Sequence, residues 1–244
     1  MFIIHLATIP PREDLLNTTL ISWLIQEHNE VIESIVITIP EESKFYGKYN
    51  LDTLTSYVQK IPKLNIQRLK YDYGAANKIV GAILFKKLIN TKSHVIICDD
   101  DIFYNLHTLS TYLNSIKKDD NKCYTPFETY DLYDLGYNRL CGADSFLLPH
   151  VFFELEPKYS FHQFFNFCVS NCPEMFFNDD YIISTYLNKI KIPVERTSEN
   201  VCYYGVVHNI NQIHKDEQKQ KREEKCKLFL QDIKNKRIED MLNI

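Results

Sequence analysis

No stretch of this sequence is apolar for long enough to cross a membrane. A transmembrane helix needs roughly 18 consecutive apolar residues, and no window of the chain approaches that length. The apolar run Phe2 to Ile4 is also too short for the core of a signal peptide, and His5, Pro10 and Pro11 follow it closely. We therefore expect a cytoplasmic protein without a membrane span.

Neither sign of charge dominates. The 28 Lys and Arg residues are balanced by 32 Asp and Glu residues, which leaves a formal net charge of -4. Such a balance provides no long-range attraction for nucleic acids or anionic membranes. We expect no nucleic-acid partner, and any anionic ligand has to be held by local groups.

Paired cysteines are also missing. The seven cysteines are odd in number and include no Cys-x-x-Cys pair, which argues against a disulfide framework and against a thiolate zinc site. Buried, reduced thiols are the expected state. With 45% apolar residues in a chain of 244, the sequence has ample material for the core of one large domain or two small ones.

Strand and helix patterns alternate over the first hundred residues. The apolar runs that predict strands lie at 2–7, 32–39, 64–69 and 94–98. The helical spacings lie between them, at 14–24, 51–61 and 79–89. The last strand, HVIIC, has no polar face, which is typical of a strand covered on both sides. The pattern predicts an α/β fold with a Rossmann-like, mostly parallel central sheet and helices on both faces.

The second half of the chain is less regular. The segments at 123–127 and 139–149 predict strands, and Asp179 to Ile190 has the spacing of a helix. The Phe-rich stretch from Tyr159 to Phe177 is either core or a wall on which an acceptor sugar stacks. The charged end of the chain predicts a helix. We therefore divide the chain into a domain at 1–210 and a carboxy-terminal helix at 211–244, which packs on the domain or at an interface such as that of a homo-oligomer.

Three aspartates, Asp99, Asp100 and Asp101, follow the buried strand directly. In open α/β sheets, ligands bind outside the carboxyl ends of the strands. If the strand pleat continues, Asp99 and Asp101 point to the same side about 6 to 7 Å apart, and two unit charges at that spacing repel by about 2.5 kcal/mol at an effective dielectric constant of about 20. A hard divalent cation, Mg²⁺ or Mn²⁺, would relieve this repulsion. The alternative is an acidic turn that caps a helix starting near Leu106.

A second charged element joins a strand to a helix. In the segment DYGAANK, Gly74 can adopt the geometry of a tight turn, and Lys78 falls in the first helical turn, where free amides and a partial positive charge attract anions. Arg12, in the segment TIPPR, adds a positive group at the same edge of the sheet. Neither element alone specifies a phosphate site, because the full GxxxxGK[ST] loop is missing and loop arginines are commonly solvated.

Taken together and in this order, the segments TIPPR, DYGAANK, CDDDIFY and NDDYIISTYL resemble the GT-A glycosyltransferases, over roughly residues 2–208. The family's DxD motif falls on Asp99 and Asp101, and Ala75 replaces the proline of its Gly-Pro-x-x-Lys turn. The resemblance implies that a nucleotide sugar is bound by Arg12, Asp72, Gly74, Lys78, Asp99 and Asp100. It implies metal ligands at Asp101, Asp99 and His208, the last of which could instead satisfy a loop carbonyl.

Two further site predictions concern the sugar and its acceptor. By its position in the segment at 139–149, beside the small Gly142 and Ala143, Asp144 is expected to accept hydrogen bonds from the donor sugar. The acidic pair of many inverting family members resembles Asp179 and Asp180, which implies Asp180 as the base that deprotonates the acceptor hydroxyl and Asp179 as an alternative base or acceptor ligand. A helix amino-terminal cap is the structural alternative for both, and a retaining enzyme would need no base there.

These features predict a glycosyltransferase that moves a sugar from a UDP- or GDP-linked donor to a hydroxyl of a glycan or protein, with Mn²⁺ or Mg²⁺ as cofactor. Two alternatives stay open. One is a non-catalytic carbohydrate- or nucleotide-binding scaffold on a transferase fold. The other is a sugar-1-phosphate nucleotidyltransferase, although no GxGTR-like loop follows the first strand. An aspartyl-phosphate hydrolase is disfavoured because Phe103 occupies the Thr position of its DxDxT motif.

Overall fold

The computed structural model describes residues 1–89, 92–126, 135–137, 140, 145–197, 204–206, 216–242 and 244. The strands in these ranges are β1 (Phe2–Ala7), β2 (Ile32–Pro40), β3 (Leu64–Leu69), β4 (His94–Cys98), β5 (Ile102–Phe103), β6 (Cys123–Thr125), β7 (Phe146–Leu148), β8 (Val194–Arg196) and β9 (Tyr204–Val206). The helices are α1 (Leu16–Leu24), α2 (Leu51–Lys60), α3 (Asn77–Ile89), α4 (Thr108–Ile116), α5 (His150–Leu155), α6 (Phe161–Asn171), α7 (Asp179–Lys189), α8 (Asp216–Ile233) and α9 (Ile238–Leu242). No helix in this part of the chain combines the length and apolarity that crossing a bilayer requires.

Seven of the described strands form one sheet in the spatial order β3-β2-β1-β4-β7-β6-β8. Strand β1 pairs in parallel with β2 and β4, β3 pairs in parallel with β2, and β8 pairs in parallel with β6. Strand β7 runs antiparallel to both of its neighbours. The predicted mostly parallel sheet is therefore confirmed. A separate antiparallel pair joins β5 to β9, and β5 begins directly after Asp101.

Both faces of the sheet are covered, which explains the uninterrupted apolar run of β4. Ile96 and Cys98 belong to a core shared with α1, α2 and α4, whereas Val95 and Ile97 belong to a second core shared with α3, α6 and α7. Successive side chains of a strand point to opposite faces, so every side chain of β4 after His94 is buried. The prediction of helices on both faces is confirmed.

The second half departs from the sequence prediction in its details. Strands β6 and β7 contain three residues each and are shorter than the predicted segments, part of which lies outside the described residues. The helix after the three aspartates begins at Thr108, close to the predicted start near Leu106. Most of the Phe-rich stretch is helix α6, which buries three phenylalanines in the core, Phe161, Phe164 and Phe165.

The end of the chain forms two helices where the sequence predicts one. Helix α8 ends at Ile233, where the ammonium of Lys189, the last residue of α7, donates to the carbonyls of Ile233, Lys234 and Lys236 at 2.8, 2.7 and 2.6 Å. The last carbonyls of a helix need such partners because they have none within the helix. Leu230 of α8 lies in the core on the α3 side of the sheet, together with buried residues of α9.

We predict that Leu230→Ala destabilises the folded protein, because Leu230 is fully buried in that core. A buried Leu→Ala change costs about 2 to 5 kcal/mol of the free energy of unfolding, which urea denaturation measures. Leu228→Ala is the matched control, since Leu228 lies on the same helix and is 61% exposed. Equal stability of the two variants would show that α8 does not contribute to the core.

Candidate active site

A cleft of about 390 Å³ opens at the carboxyl ends of β1, β2, β3 and β4. Strands β2 and β4 lie on opposite sides of β1 in the sheet, and the chain reverses its winding direction at such a point, which leaves a crevice for ligands. Nine residues predicted from the sequence line this cleft: Arg12, Asp72, Gly74, Lys78, Asp99, Asp100, Asp101, Asp179 and Asp180. The other two predicted residues, Asp144 and His208, lie outside the described residues.

Asp100 is held within the protein from two sides. The Thr8 hydroxyl donates to its Oδ2 at 2.6 Å, and the Arg12 guanidinium donates to its Oδ1 at 2.8 Å. The Thr19 hydroxyl of α1 also donates to the Asp100 carbonyl at 2.8 Å. Burial raises the pKa of Asp100 above its ordinary value, against the opposing charge of Arg12. The middle aspartate therefore fixes the turn after β4 to β1 and α1, and both of its carboxylate oxygens are engaged within the protein.

Asp99 and Asp101 present carboxylates to the cleft on either side of this anchor. Asp101 Oδ2 lies 3.0 Å from Arg12 Nη1, and burial together with the neighbouring Asp100 raises the pKa of Asp101 to about 6. The side chain of Asp99 is 31% exposed. The carboxylates of Asp99 and Asp101, just after the end of β4, are hard oxygen ligands that suit Mg²⁺ or Mn²⁺. These ions are commonly bound through one or two carboxylates, water and ligand phosphates. The residues present therefore fit a divalent ion.

Lys78 lies between two of the aspartates and is almost fully buried. Its ammonium donates to Asp99 Oδ1 and lies 3.1 Å from Asp179 Oδ2. Burial by itself would lower the pKa of Lys78, but Asp179 and Asp99 outweigh that effect, so the pKa lies well above its ordinary value. Lys78 is therefore a permanent cation that joins the end of β4 to the start of α7.

The turn before α3 is built by Asp72 and Asn77. Asp72 Oδ1 accepts from the Gly74 amide and from Asn77 Nδ2, each at 2.8 Å, and Asp72 Oδ2 accepts from the Lys44 amide at 2.8 Å. The Asn77 side chain accepts in turn from the Tyr73 amide at 2.9 Å. The turn therefore forms without the proline found in the GT-A glycosyltransferases. The hydrogen bonds that the Asp72 carboxylate accepts stabilise it.

Asp179 and Asp180 occupy the first turn of α7, where carboxylates interact favourably with the helix dipole. Asp179 is 7% exposed and faces Lys78, whereas Asp180 is partly exposed and lines the cleft. The Ser184 hydroxyl donates to the Asp180 carbonyl at 2.5 Å and strengthens this turn. The two adjacent carboxylates are therefore in different environments.

The charges that line the cleft do not cancel. Six aspartates face two cationic side chains, Arg12 and Lys78, and both cations are already paired with carboxylates. A diphosphate would be repelled from such a surface unless a cation accompanied it. Within the described ranges no three Asp, Glu, His or Cys side chains are arranged to hold a metal ion by themselves, so ligand oxygens would have to complete the shell of any ion bound here.

Aromatic side chains line the other half of the cleft: Phe45, Tyr46, Tyr49, Phe176 and Phe177. Phe176 and Phe177 belong to the Phe-rich stretch predicted as core or as an acceptor wall, whereas Phe45, Tyr46 and Tyr49 were not predicted from the sequence. The Phe45 ring lies 5.8 Å from the Phe176 ring and 5.1 Å from the Phe177 ring, and it is 54% exposed. The Tyr49 hydroxyl donates to the Thr8 carbonyl at 2.9 Å. The loop after β2, which carries Phe45, Tyr46 and Tyr49, has no recognisable motif. Its place at the cleft could have been predicted only from the position of β2 next to β1 in the sheet.

We predict that Gly74→Ala disrupts the cleft wall. Gly74 has a φ of +59°, and an added Cβ would lie 2.6 Å from Cε1 and from the carbonyl oxygen of Phe176. Gly47→Ala is the matched control, since Gly47 has a φ of +77° but no atom within 4 Å of the added Cβ. Both variants should lose about 1 kcal/mol or more of unfolding free energy to backbone strain, and Gly74→Ala should lose more. Equal thermal stabilities would contradict this packing.

The chain was compared with known proteins. No family profile matches the sequence, and no curated protein has detectable sequence similarity to it. Among solved structures, the mannosyltransferase PcManGT from Pyrobaculum calidifontis in complex with GDP-Man and Mn²⁺ matches with a TM-score of 0.57 and 11% identity, over 99% of this chain and 72% of that chain. Residues 1–349 of S. aureus TarS in complex with UDP match with a TM-score of 0.52 and 13% identity, over 84% of this chain and 60% of that chain.

The same TarS fragment in complex with UDP-GlcNAc gives a TM-score of 0.52 at 13% identity, over 87% of this chain and 60% of that chain. The chain thus spans about 60% of the TarS fragment. At these identities the similarity concerns the fold. The similarity to these structures and the sheet order together show that the chain adopts a GT-A-like glycosyltransferase fold.

Proposed function

We propose that the protein is a metal-dependent glycosyltransferase that moves a sugar from a nucleoside-diphosphate sugar to an acceptor hydroxyl. The observation that carries the proposal is a single cleft, at the carboxyl ends of β1 to β4, that combines Asp99 and Asp101 with Asp180. Proteins with a similar fold were solved with UDP, UDP-GlcNAc, and GDP-Man with Mn²⁺, which supports a UDP- or GDP-linked donor.

Asp99 and Asp101 would hold a Mn²⁺ or Mg²⁺ ion. When bound, such an ion supplies positive charge that stabilises the departing diphosphate. Arg12 contributes by holding the carboxylates of Asp100 and Asp101 in place through its two ion pairs of 2.8 and 3.0 Å. The negative excess of the cleft favours a donor that arrives with a cation over a free sugar phosphate.

The two halves of the cleft match the two ends of a nucleoside diphosphate. The aromatic half offers the exposed ring of Phe45 beside Phe177, and flat aromatic surfaces stack on nucleobases. The acidic half lies at the end of β4, where the diphosphate and its cation would bind. This arrangement supports a nucleotide donor over a plain sugar ligand.

Asp180 is the proposed base. The proton of the acceptor hydroxyl passes to the Asp180 carboxylate while the acceptor oxygen bonds to the anomeric carbon of the donor sugar. The bond from that carbon to the diphosphate breaks, and the electron pair leaves with the phosphate oxygen. Asp179 is less suited to this step because it is buried against the Lys78 ammonium. A base placed across the sugar from the leaving group predicts inversion at the anomeric carbon.

We expect manganese to tighten the binding of UDP or GDP, and Asp101→Asn to remove most of that gain. Isothermal titration with each nucleotide, with and without Mn²⁺, measures both effects. The metal-dependent gain should be about tenfold or more, or about 1.4 kcal/mol. Asp232→Asn is the control, since Asp232 is an exposed carboxylate on α8, paired only at the surface with Lys236. A nucleotide affinity that is the same with and without Mn²⁺ would favour a non-catalytic binding protein.

We expect Asp180→Asn to reduce sugar transfer by about 100-fold or more, because the amide cannot accept the acceptor proton. Metal-dependent nucleotide binding should stay nearly unchanged. A panel of UDP- and GDP-sugars, assayed first for slow hydrolysis and then for transfer, supplies the activity measurement. Loss of nucleotide binding together with transfer would mean that Asp180 supports the structure, and retained transfer would mean that it is not the base.

A further inference from the structure

Lys78 is a buried cation whose two partners come from distant parts of the fold. Its side chain is 6% exposed, and its ammonium contacts Asp99 after β4 and Asp179 at the start of α7. Burying an ammonium costs several kcal/mol unless anions compensate for the lost hydration. The position of this ammonium therefore depends on both carboxylates, and the buried Asp179 depends on it more than does Asp99, whose side chain is 31% exposed.

The backbone that carries Lys78 is rigidly held. Lys78 is the second residue of α3, and its neighbours Asn77 and Ile79 are both buried. The Asn77 side chain closes the preceding turn through Tyr73 and Asp72. The ammonium is therefore a fixed point against which other elements can be placed.

The start of α7 relies on this fixed point. The Asn178 side chain, at the usual capping position, donates to the Glu174 carbonyl at 2.9 Å instead of bonding to the helix amides. Within the described part of the chain, the buried Asp179 Oδ2 has no well-directed hydrogen bond, so charge holds its 3.1 Å contact with Lys78. The Lys78 ammonium thus takes part in anchoring the first turn of this helix.

We propose that Lys78 is a positioning residue of the transferase proposed above: it ties the start of α7 to the end of β4 and so sets the distance from Asp180 to Asp99 and Asp101. Adjacent residues of a helix point about 100° apart. Because Asp179 is held against Lys78, the adjacent Asp180 side chain points in a different direction and lines the cleft. The inference rests on the proposed function, since only sugar transfer requires the base and the donor site to be held in register.

Direct binding of the donor diphosphate is the alternative role for Lys78, which also lines the cleft. A lysine that binds phosphate presents its ammonium to the ligand, whereas this ammonium is enclosed by two carboxylates. Loss of a phosphate contact would weaken donor binding. Loss of a positioning contact would instead slow transfer from a donor that still binds.

The test is a double-mutant cycle of Lys78→Met, Asp179→Asn and both together. We expect Lys78→Met to lower Tm by about 4 °C or more and kcat by about 10- to 100-fold, with Mn²⁺-dependent UDP or GDP affinity within about threefold of the wild type. Asp179→Asn in the Lys78→Met background should restore Tm, because the uncompensated buried carboxylate is then gone. The double variant should stay slow.

The control is Lys87→Met, which removes another ion pair of α3, the 2.7 Å contact with Glu156, away from the cleft. It should keep kcat even if its Tm falls. A loss of nucleotide affinity of about tenfold or more in Lys78→Met, without rescue of Tm by Asp179→Asn, would overturn the proposal in favour of a phosphate contact. If the wild type is active and Lys78→Met has an unchanged kcat, the positioning role is wrong but the proposed function stands. If the wild type is inactive with every donor, the proposed function is wrong as well.

Discussion

Compensation of negative charge at the end of β4 is the constraint on which the site depends. Six aspartates line one cleft, and the two cations that line it with them each bridge carboxylates. Arg12 joins Asp100 to Asp101, and Lys78 joins Asp99 to Asp179. Each of these carboxylates is partly or fully buried, so its charge needs a partner within the protein. The pairs leave a residual negative charge, which the proposed divalent ion would compensate.

This constraint makes distant elements of the fold interdependent. Arg12 comes from the segment between β1 and α1 and Lys78 from the start of α3, and the parallel sheet order brings both beside β4. The wall that carries Asp179 is supported in turn from the end of the chain, because Lys225 of α8 pairs with Glu174 at 2.5 Å and the Arg222 guanidinium lies 5.5 Å from the Phe177 ring. The carboxy-terminal helix therefore contributes to the geometry of the cleft, whereas its sequence predicts only that it packs on the domain or at an interface.

Local patterns predict much of the fold and the position of the site, but contacts between distant segments decide the details. The buried strand β4 and the aspartates after it are adjacent in sequence, so their place at the sheet edge follows from the apolar run alone. The turn role of Asp72 involves the Lys44 amide from the loop after β2, and no local pattern shows that approach. The break between α8 and α9 likewise depends on Lys189 of α7, and Phe45, Tyr46 and Tyr49 reach the cleft from a loop without a motif.

Stability alone does not explain why a lysine occupies position 78. Replacing a buried ion pair by apolar residues of similar volume is often neutral or stabilising, by about 1 to 4 kcal/mol, and α3 already packs apolar side chains such as Ile79 and Ile83 into the core. An apolar residue at position 78 alone would leave Asp99 and Asp179 to repel each other. A cation there holds both carboxylates close together. The buried ion pair is therefore better understood as a requirement of the site than as a contribution to the stability of the fold.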